Sequence, residues 1–452
     1  MSDNILKFFT LMDDQGGFVV KESPKFDLDL YLQNYRGRTR YDRLFLIGTS
    51  SVPLCVDALK AAVAEAKRGR DIKRYNDAVE YLRLAAPKEP EAQVDQTWLD
   101  NTEQFNRNET HRLTAELKGY KNNLIKESVR IGNEDLGKHL ESIGNLNDAA
   151  EAYTRMRPDV STPKHIVDVG KHLVRVSLQR REWPMVSAHL SKMSGHQSPQ
   201  EEAVLQPYLK VANGIAYLGQ ERFSEAASSF LAADSRVLPS TYNDIASPND
   251  VAIYGGLLAL ATMDREDLQT KVLDNAAFRD FLQLEPQIRR AVNQFVTGRY
   301  SDCIATLEAY RADYMLDLYL QKHIPKIYAD IRNKCIIQYL IPFSCVTLDT
   351  LEAAFGSPEE PIEEQLVAMI RSGSLQARIN SIDRLVTTGA ANPRAKLQTS
   401  ALETAKNYER QAVDRLRRIS LAAAELELKS PRKPSVFSGT DQTLLFDGAQ
   451  LV

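Results

Sequence analysis

The sequence predicts a mostly α-helical chain: a TPR-like helical-repeat solenoid, then a winged-helix module, then one long C-terminal helix. Three observations carry that reading. A bulky anchor followed by small residues recurs through the middle of the chain. Near residue 335 the pattern changes to short helices followed by two strand-like runs. From about residue 398 apolar residues recur every three or four positions for 31 residues.

Residues 1–25 read as a flexible N-terminal leader, because Gly16-Gly17 and Ser23-Pro24 interrupt any regular element. From Asp27 the pattern is helical. Leu28, Leu30, Tyr31, Leu32 and Tyr35 form one element, residues 41–47 a second, and the alanine-rich run 56–67 a third. Pro87 and Pro90 close the helix before them, since proline cannot continue the backbone hydrogen-bond ladder.

The repeat is seen in residues 144–153 (GNLNDAAEAY), 221–230 (ERFSEAASSF) and 298–307 (GRYSDCIATL), with a weaker copy at 182–186 (EWPMV). The anchors Leu146, Trp183 and Phe223 lie 37 and 40 residues apart, and Tyr300 follows 77 later, which predicts a degenerate copy near Asp264–Leu268. Such a period belongs to stacked helical hairpins, in which small residues allow close approach and the anchor fills the gap. Ile125, Val129, Leu136, Leu140 and Ile143 form one apolar stripe on the helix before the first copy.

After Pro342, Thr347 is placed to cap a short helix that Gly356 ends, and a further helix runs from Pro361 to Arg371 before Gly373. Residues 375–379 alternate apolar and polar as one strand, and 383–388 is a second strand candidate, which together make a two-stranded wing. The C-terminal helix, at 396–428, carries a seam of Leu402, Ala405, Ala412, Leu416, Ile419, Ala423 and Leu426, broken by Glu409. A seam of that length needs a partner. The tail, 429–452, reads as disordered, and Ser430-Pro431 fits a proline-directed kinase site.

Composition excludes several functions. Lys+Arg (57) nearly balance Asp+Glu (60), which gives no sign of a nucleic-acid grip. Cys55, Cys303, Cys335 and Cys345 form no C-x-x-C pair and read as reduced thiols. No signal peptide and no run of ~20 apolar residues is present, which places the protein in the cytoplasm and nucleus. Gly132 to Lys138 matches part of a phosphate loop. However, His139 stands where a hydroxyl is required, and the run sits within a helical pattern. None of the seven histidines forms H-x-H or H-E-x-x-H. Catalytic residues, metals and cofactors are therefore all expected to be absent. Glu363 and Glu364 begin the third helix of the winged-helix module, where they would repel phosphate, so protein binding suits the module better than DNA or RNA.

Residues 120–130 (YKNNLIKESVR) with Asp135-Leu136-Gly137, 247–257 (SPNDVAIYGGL) and 281–289 (FLQLEPQIR) carry a resemblance. So do 316–320 (LDLYL), 328–339 (YADIRNKCIIQY) and 39–44 (TRYDRL). The chain resembles the PCI-domain subunits shared by the proteasome lid, the COP9 signalosome and a translation initiation factor, and looks most like the signalosome branch. The resemblance implies a repeat region at 26–224 and a PCI domain at 225–392, with a helical part (225–334) and a winged helix (335–392). It also implies a non-catalytic scaffold in a complex that removes NEDD8 from cullins, whose metalloprotease lies in another subunit. The expected partners are other PCI-domain and metalloprotease-type subunits, joined through a bundle of C-terminal helices and through a sheet edge that the resemblance places at Leu375, Ala377, Ile379, Leu385 and Val386. Cullin–RING ligases would be reached through the complex. The proteasome lid is the competing assembly, and a winged-helix nucleic-acid adaptor the more distant alternative.

Overall fold

A computed structural model describes residues 3–123, 125–194, 199–235, 242–356, 361–388, 393–424 and 426. The chain divides into two compact units, residues 1–387 and 388–452. The first unit is a succession of helices that ends in a three-stranded sheet. The second contains the helix Pro393–Ala423. No helix among the described residues is long and apolar enough to cross a membrane.

The repeat has a precise backbone cause. Hairpins pair Lys126–Ser142 with Leu146–Arg155, Pro163–Gln179 with Trp183–Met193, Pro199–Gly219 with Phe223–Leu231, and Pro286–Val296 with Tyr300–Glu308. At each turn the residue two before the anchor is left-handed: Gly144, Arg181, Glu221 and Gly298, with φ of 89°, 60°, 61° and 82°. The following N–H reaches back to a carbonyl in the helix at 2.8–3.0 Å, as in Asn145 to Leu140, Glu182 to Ser177, Arg222 to Tyr217 and Arg299 to Gln294. These are Schellman turns, which satisfy the last carbonyls of the first helix and aim the anchor at the second. Ala149, Ala152, Ala226 and Ala227 then lie fully buried. Close approach is reinforced from the first helix. A Cβ on Gly137 would lie 2.5 Å from the Tyr153 ring, and one on Gly214 2.6 Å from the Phe230 ring.

The degenerate copy near Asp264–Leu268 lacks this turn. Met263 is extended (φ −94°), and a π-helical segment, Leu268–Leu273, follows the short helix Arg265–Asp267. Leu268, within the expected copy, is nevertheless buried.

Two further expectations are corrected. Residues 1–25 are not a plain leader, because Asp3–Asp14 is a helix that buries Phe8, Phe9 and Met12, and Phe8 meets Tyr81 edge-on at 6.1 Å. Val20 then bridges to Ser51 in parallel. Nor does a core boundary fall at 224/225, which lies inside Phe223–Leu231. One cluster of buried side chains runs from Val167 to Val386 and so joins the repeats to the winged helix. The 27-residue helix Gln96–Asn122 was not expected, since it buries only Leu113 and Leu117 fully and otherwise reads as polar.

The N-terminal helices fold against the far end of the same unit. Arg43, on Gly37–Ser50, is 0% exposed. Its guanidinium bonds Asp317 at 2.7 Å and Asp250 at 2.8 Å, and lies 4.1 Å from the Tyr35 ring centre. Tyr35 donates to Asp250 at 2.7 Å, and Tyr254 to Asp317 at 2.8 Å. Asp250 also closes a capping box with Ser247 at the start of Pro248–Thr262. Burial without such pairing would be prohibitive for any of these charges. Outside the cluster, the backbone of Lys25 bonds Asp313 at 2.8 Å, Thr39 bonds the Asp244 carbonyl at 2.8 Å, and Gln321 bonds Ser50 at 2.9 Å.

Arg43→Met should lower unfolding stability by about 3–5 kcal/mol, because it strands two buried carboxylates. Adding Asp250→Asn and Asp317→Asn should restore part of the loss, read from denaturant midpoints followed by circular dichroism. Gly298→Ala meets no atom within 4 Å, so its expected cost of about 1 kcal/mol comes from the left-handed φ alone.

Candidate interaction surfaces

The winged-helix module is built on the end of Ile324–Leu340. Strand β1, Cys345–Thr347, runs directly into Leu348–Phe355, and Thr347 caps that helix by accepting from the Thr350 N–H at 3.2 Å. Ile362–Arg371 follows and ends at Gly373, left-handed at φ 77°. Strands β2, Ala377–Asn380, and β3, Leu385–Thr388, complete a sheet in the order β1-β3-β2. β1 and β3 are antiparallel, with Val346 opposite Val386.

This topology changes the expected sheet edge. Leu385 and Val386 lie on the central strand, so neither belongs to an edge. Val386 is 0% exposed and is a core residue. Leu375 precedes β2, is buried, and bonds the Met369 carbonyl through its N–H at 3.2 Å. Of the five expected contacts, only Ala377 and Ile379 stand on an edge strand, and both are half-buried beside the exposed Arg378 and Asn380. β1, which sequence reading missed, is the other edge. Its three residues run directly into a helix that Thr347 caps and leave no alternating run to detect. Cys345 and Thr347 are exposed there, and the exposed Ile341 and Phe343 precede them. Ile382, in the β2–β3 turn, is 94% exposed.

The module is held rigidly on its helical support. Arg332 donates to Gln365 at 2.8 Å and to the Phe355 carbonyl at 2.6 Å, and Gln365 donates to Asn333 at 2.9 Å. Lys334 donates to the carbonyls of Leu260 and Met263 at the end of Pro248–Thr262, and burial brings its pKa down to about 8. Arg384, left-handed at φ 49°, pairs with Asp349 at 3.0 Å and Glu352 at 2.9 Å.

The C-terminal helix spans Pro393–Ala423, about 46 Å at 1.5 Å per residue, and both starts and ends earlier than expected. Leu402, Leu416 and Ile419 are 62%, 62% and 64% exposed. Ala405 and Ala423 are also exposed, and Ala412 is half-buried. Leu426 lies beyond the helical end and so leaves the seam. Tyr408 and Val413, also exposed, flank the seam and widen it. Ser430 and the expected tail lie outside the described residues.

The chemistry-bearing residues serve packing. Gly132 to Lys138 lies inside Lys126–Ser142, where the backbone N–H groups are already bonded in the helix. Among the described residues, no group of three or more His, Cys, Asp or Glu is placed to hold a metal ion. All four cysteines are free thiols. His172 stacks on Tyr153 at 4.6 Å and accepts from Arg175 at 3.0 Å, while the buried His189 accepts from Arg157 at 3.0 Å. Burial first, and then the neighbouring arginine, lowers each pKa to about 4. His196 lies outside the described residues.

A helical array ending in a winged helix, followed along the chain by a long helix with an exposed apolar seam, defines a PCI-domain subunit of a multi-subunit complex. The comparisons agree. The PCI domain model matches residues 307–390, and that of 26S proteasome subunit RPN7 matches 95–271. The chain is 55% identical to the COP9 signalosome complex subunit 1 of Neurospora crassa over 435 residues, 96% of each chain. It is 44% identical to that of Emericella nidulans, over 91% of this chain and 84% of the relative. The Arabidopsis thaliana protein is 32% identical, over 90% and 92%. The chain belongs to the COP9 signalosome complex subunit 1 family.

The two buried histidines set a pH dependence with a definite sign. Their folded pKa values, about 4, lie below the ordinary 6.5, so the unfolded chain binds protons more readily. Their contribution to stability is complete above pH 6.5 and is lost as pH falls towards 4. Denaturation midpoints measured across that window should fall, and His172→Gln should flatten the slope.

Proposed function

We propose that this scaffold subunit supports removal of NEDD8 from cullins, and so regulation of cullin–RING ubiquitin ligases, without carrying out the chemistry itself. The metalloprotease centre belongs to another subunit, and the complex works in both cytoplasm and nucleus. One observation carries the reading: a helix of 31 residues keeps Leu402, Leu416 and Ile419 exposed along one seam. In water such a face is stable only against other helices. The two sheet edges, β1 and β2, offer a second attachment by strand addition. Glu363 and Glu364, in the first turn of Ile362–Arg371, argue against a nucleic-acid groove there.

Leu416→Glu combined with Ile419→Glu should release the chain from its complex in a pull-down, while far-ultraviolet circular dichroism stays unchanged. Full incorporation of that variant would refute the bundle. Recovery of proteasomal ATPases with the parent chain would assign it to the lid instead. Cleavage of a neddylated cullin by the purified chain alone would overturn the non-catalytic reading.

A further inference from the structure

The chain carries a formal charge of -3, but two short segments depart sharply from that balance. Residues 36–43 and 65–74 contain Arg36, Arg38 and Arg40, then Lys67, Arg68, Arg70, Lys73 and Arg74. Against these eight stand three carboxylates, Asp42, Glu65 and Asp71. Arg43, the ninth basic residue, points inward to its own counter-charges. The local surplus is therefore five positive charges, which leaves the rest of the chain at -8.

Helix packing brings the two segments together. Gly37–Ser50 packs on Cys55–Arg68, which packs on Ile72–Ala85. Between them lies a half-open cavity of about 330 Å³, lined by Gly37, Arg38, Arg68, Gly69, Arg70 and Arg74 among others. Gly37–Ser50 begins there with no side-chain cap, so its first N–H groups add positive potential. The acidic residues are already committed. Asp71 pairs with Arg38 at 2.9 Å and Arg74 at 3.5 Å, and Asp42 pairs with Arg74 at 2.7 Å. Glu65 lies between Arg40 at 3.6 Å and Arg68 at 3.2 Å. Arg36, Arg70 and Lys73 have no ion pair among the described residues. The Nε groups of Arg38 and Arg40 are buried with no hydrogen-bond partner. Burial, followed by the nearby Arg74 charge, holds Arg38 below its usual pKa.

We propose that this cavity and its rim are a docking site for an acidic peptide segment of a partner protein, in which a run of Asp and Glu carboxylates meets the guanidinium forks. Guanidinium groups match carboxylates in bidentate geometry. Four of the positive groups, Arg38, Arg68, Arg70 and Arg74, line one cavity together with Glu65 and Asp71, and the acidic remainder of the chain opposes a long polyanion. A short acidic segment fits both conditions. The site lies on the N-terminal helices, distinct from the wing and the C-terminal seam, and does not depend on the scaffold reading.

The test uses the full chain and a fluorescein-labelled peptide of alternating Glu and Ser, followed by anisotropy. Binding should weaken with added salt, and Arg68→Glu with Arg70→Glu should reduce affinity about tenfold or more. Both side chains are exposed, so an unchanged circular dichroism melt should accompany the loss. Arg36→Glu with Lys73→Glu, two further exposed residues of the same segments, should weaken binding in the same direction. Parent-like affinity in both double variants would overturn the proposal. So would an equal loss from Arg417→Glu on the C-terminal helix, which would mean non-specific charge attraction. Tighter binding of a single-stranded oligonucleotide of equal charge would overturn it in favour of nucleic acid.

Discussion

A single buried guanidinium fixes how the first unit closes on itself. Arg43 lies on an N-terminal helix, yet its two counter-charges come from the start of one distant helix and the turn before another. Neither carboxylate is tolerable without it, and it is not tolerable without them. The surrounding hydroxyls of Tyr35 and Tyr254 fix the orientation of the carboxylates, so the cluster demands one register between segments more than 200 positions apart. Apolar packing could bring the same helices together in several ways. Charge pairing in a dry interior selects one of them.

With that register set, the rest of the unit acts as a single support. The core passes from the repeats into the winged helix without a break, Arg332 and Gln365 tie the module to the helix beneath it, and Lys334 ties that helix to Pro248–Thr262. A rigid mount matters for a subunit whose work is attachment, because a strand added at β1 or β2 is then presented in a fixed direction. The C-terminal helix is a different kind of contact. It offers apolar area with little shape specificity, which suits association with several similar helices.

What could be read from the sequence depended on how local each cause was. The hairpins were legible because the anchors Leu146, Trp183, Phe223 and Tyr300 recur with small residues behind them. Thr347 and Gly373 announced helix boundaries by their own chemistry. The helix Asp3–Asp14 does carry its own pattern, with Ile5, Phe8, Phe9 and Met12 at i, i+3, i+4 and i+7, but the breakers Gly16-Gly17 and Ser23-Pro24 make the stretch read as a leader. β1 was too short to show alternation, and its absence made β3 look like an edge. Arg43 was indistinguishable from its half-buried neighbours Arg38 and Arg40, since only the fold reveals that Asp250 and Asp317 converge on it. The basic cavity escaped notice for a related reason: whole-chain charge averages away a surplus confined to two segments.

The left-handed turns at Arg181 and Glu221 bear on how such a chain can change over time. Glycine would ease both backbones, as it does at Gly144 and Gly298. Yet Arg181 donates to the Leu318 carbonyl and covers the Tyr319 ring, and Glu221 pairs with Lys326. Each turn therefore also acts as a cross-link, Arg181 to the segment before the last long helix of the array and Glu221 to the first turn of that helix. A simple repeat protein gains or loses whole hairpins easily, because each touches only its neighbours. Here an added or deleted hairpin would shift every cross-link and part Arg43 from its carboxylates, so the number of repeats is locked.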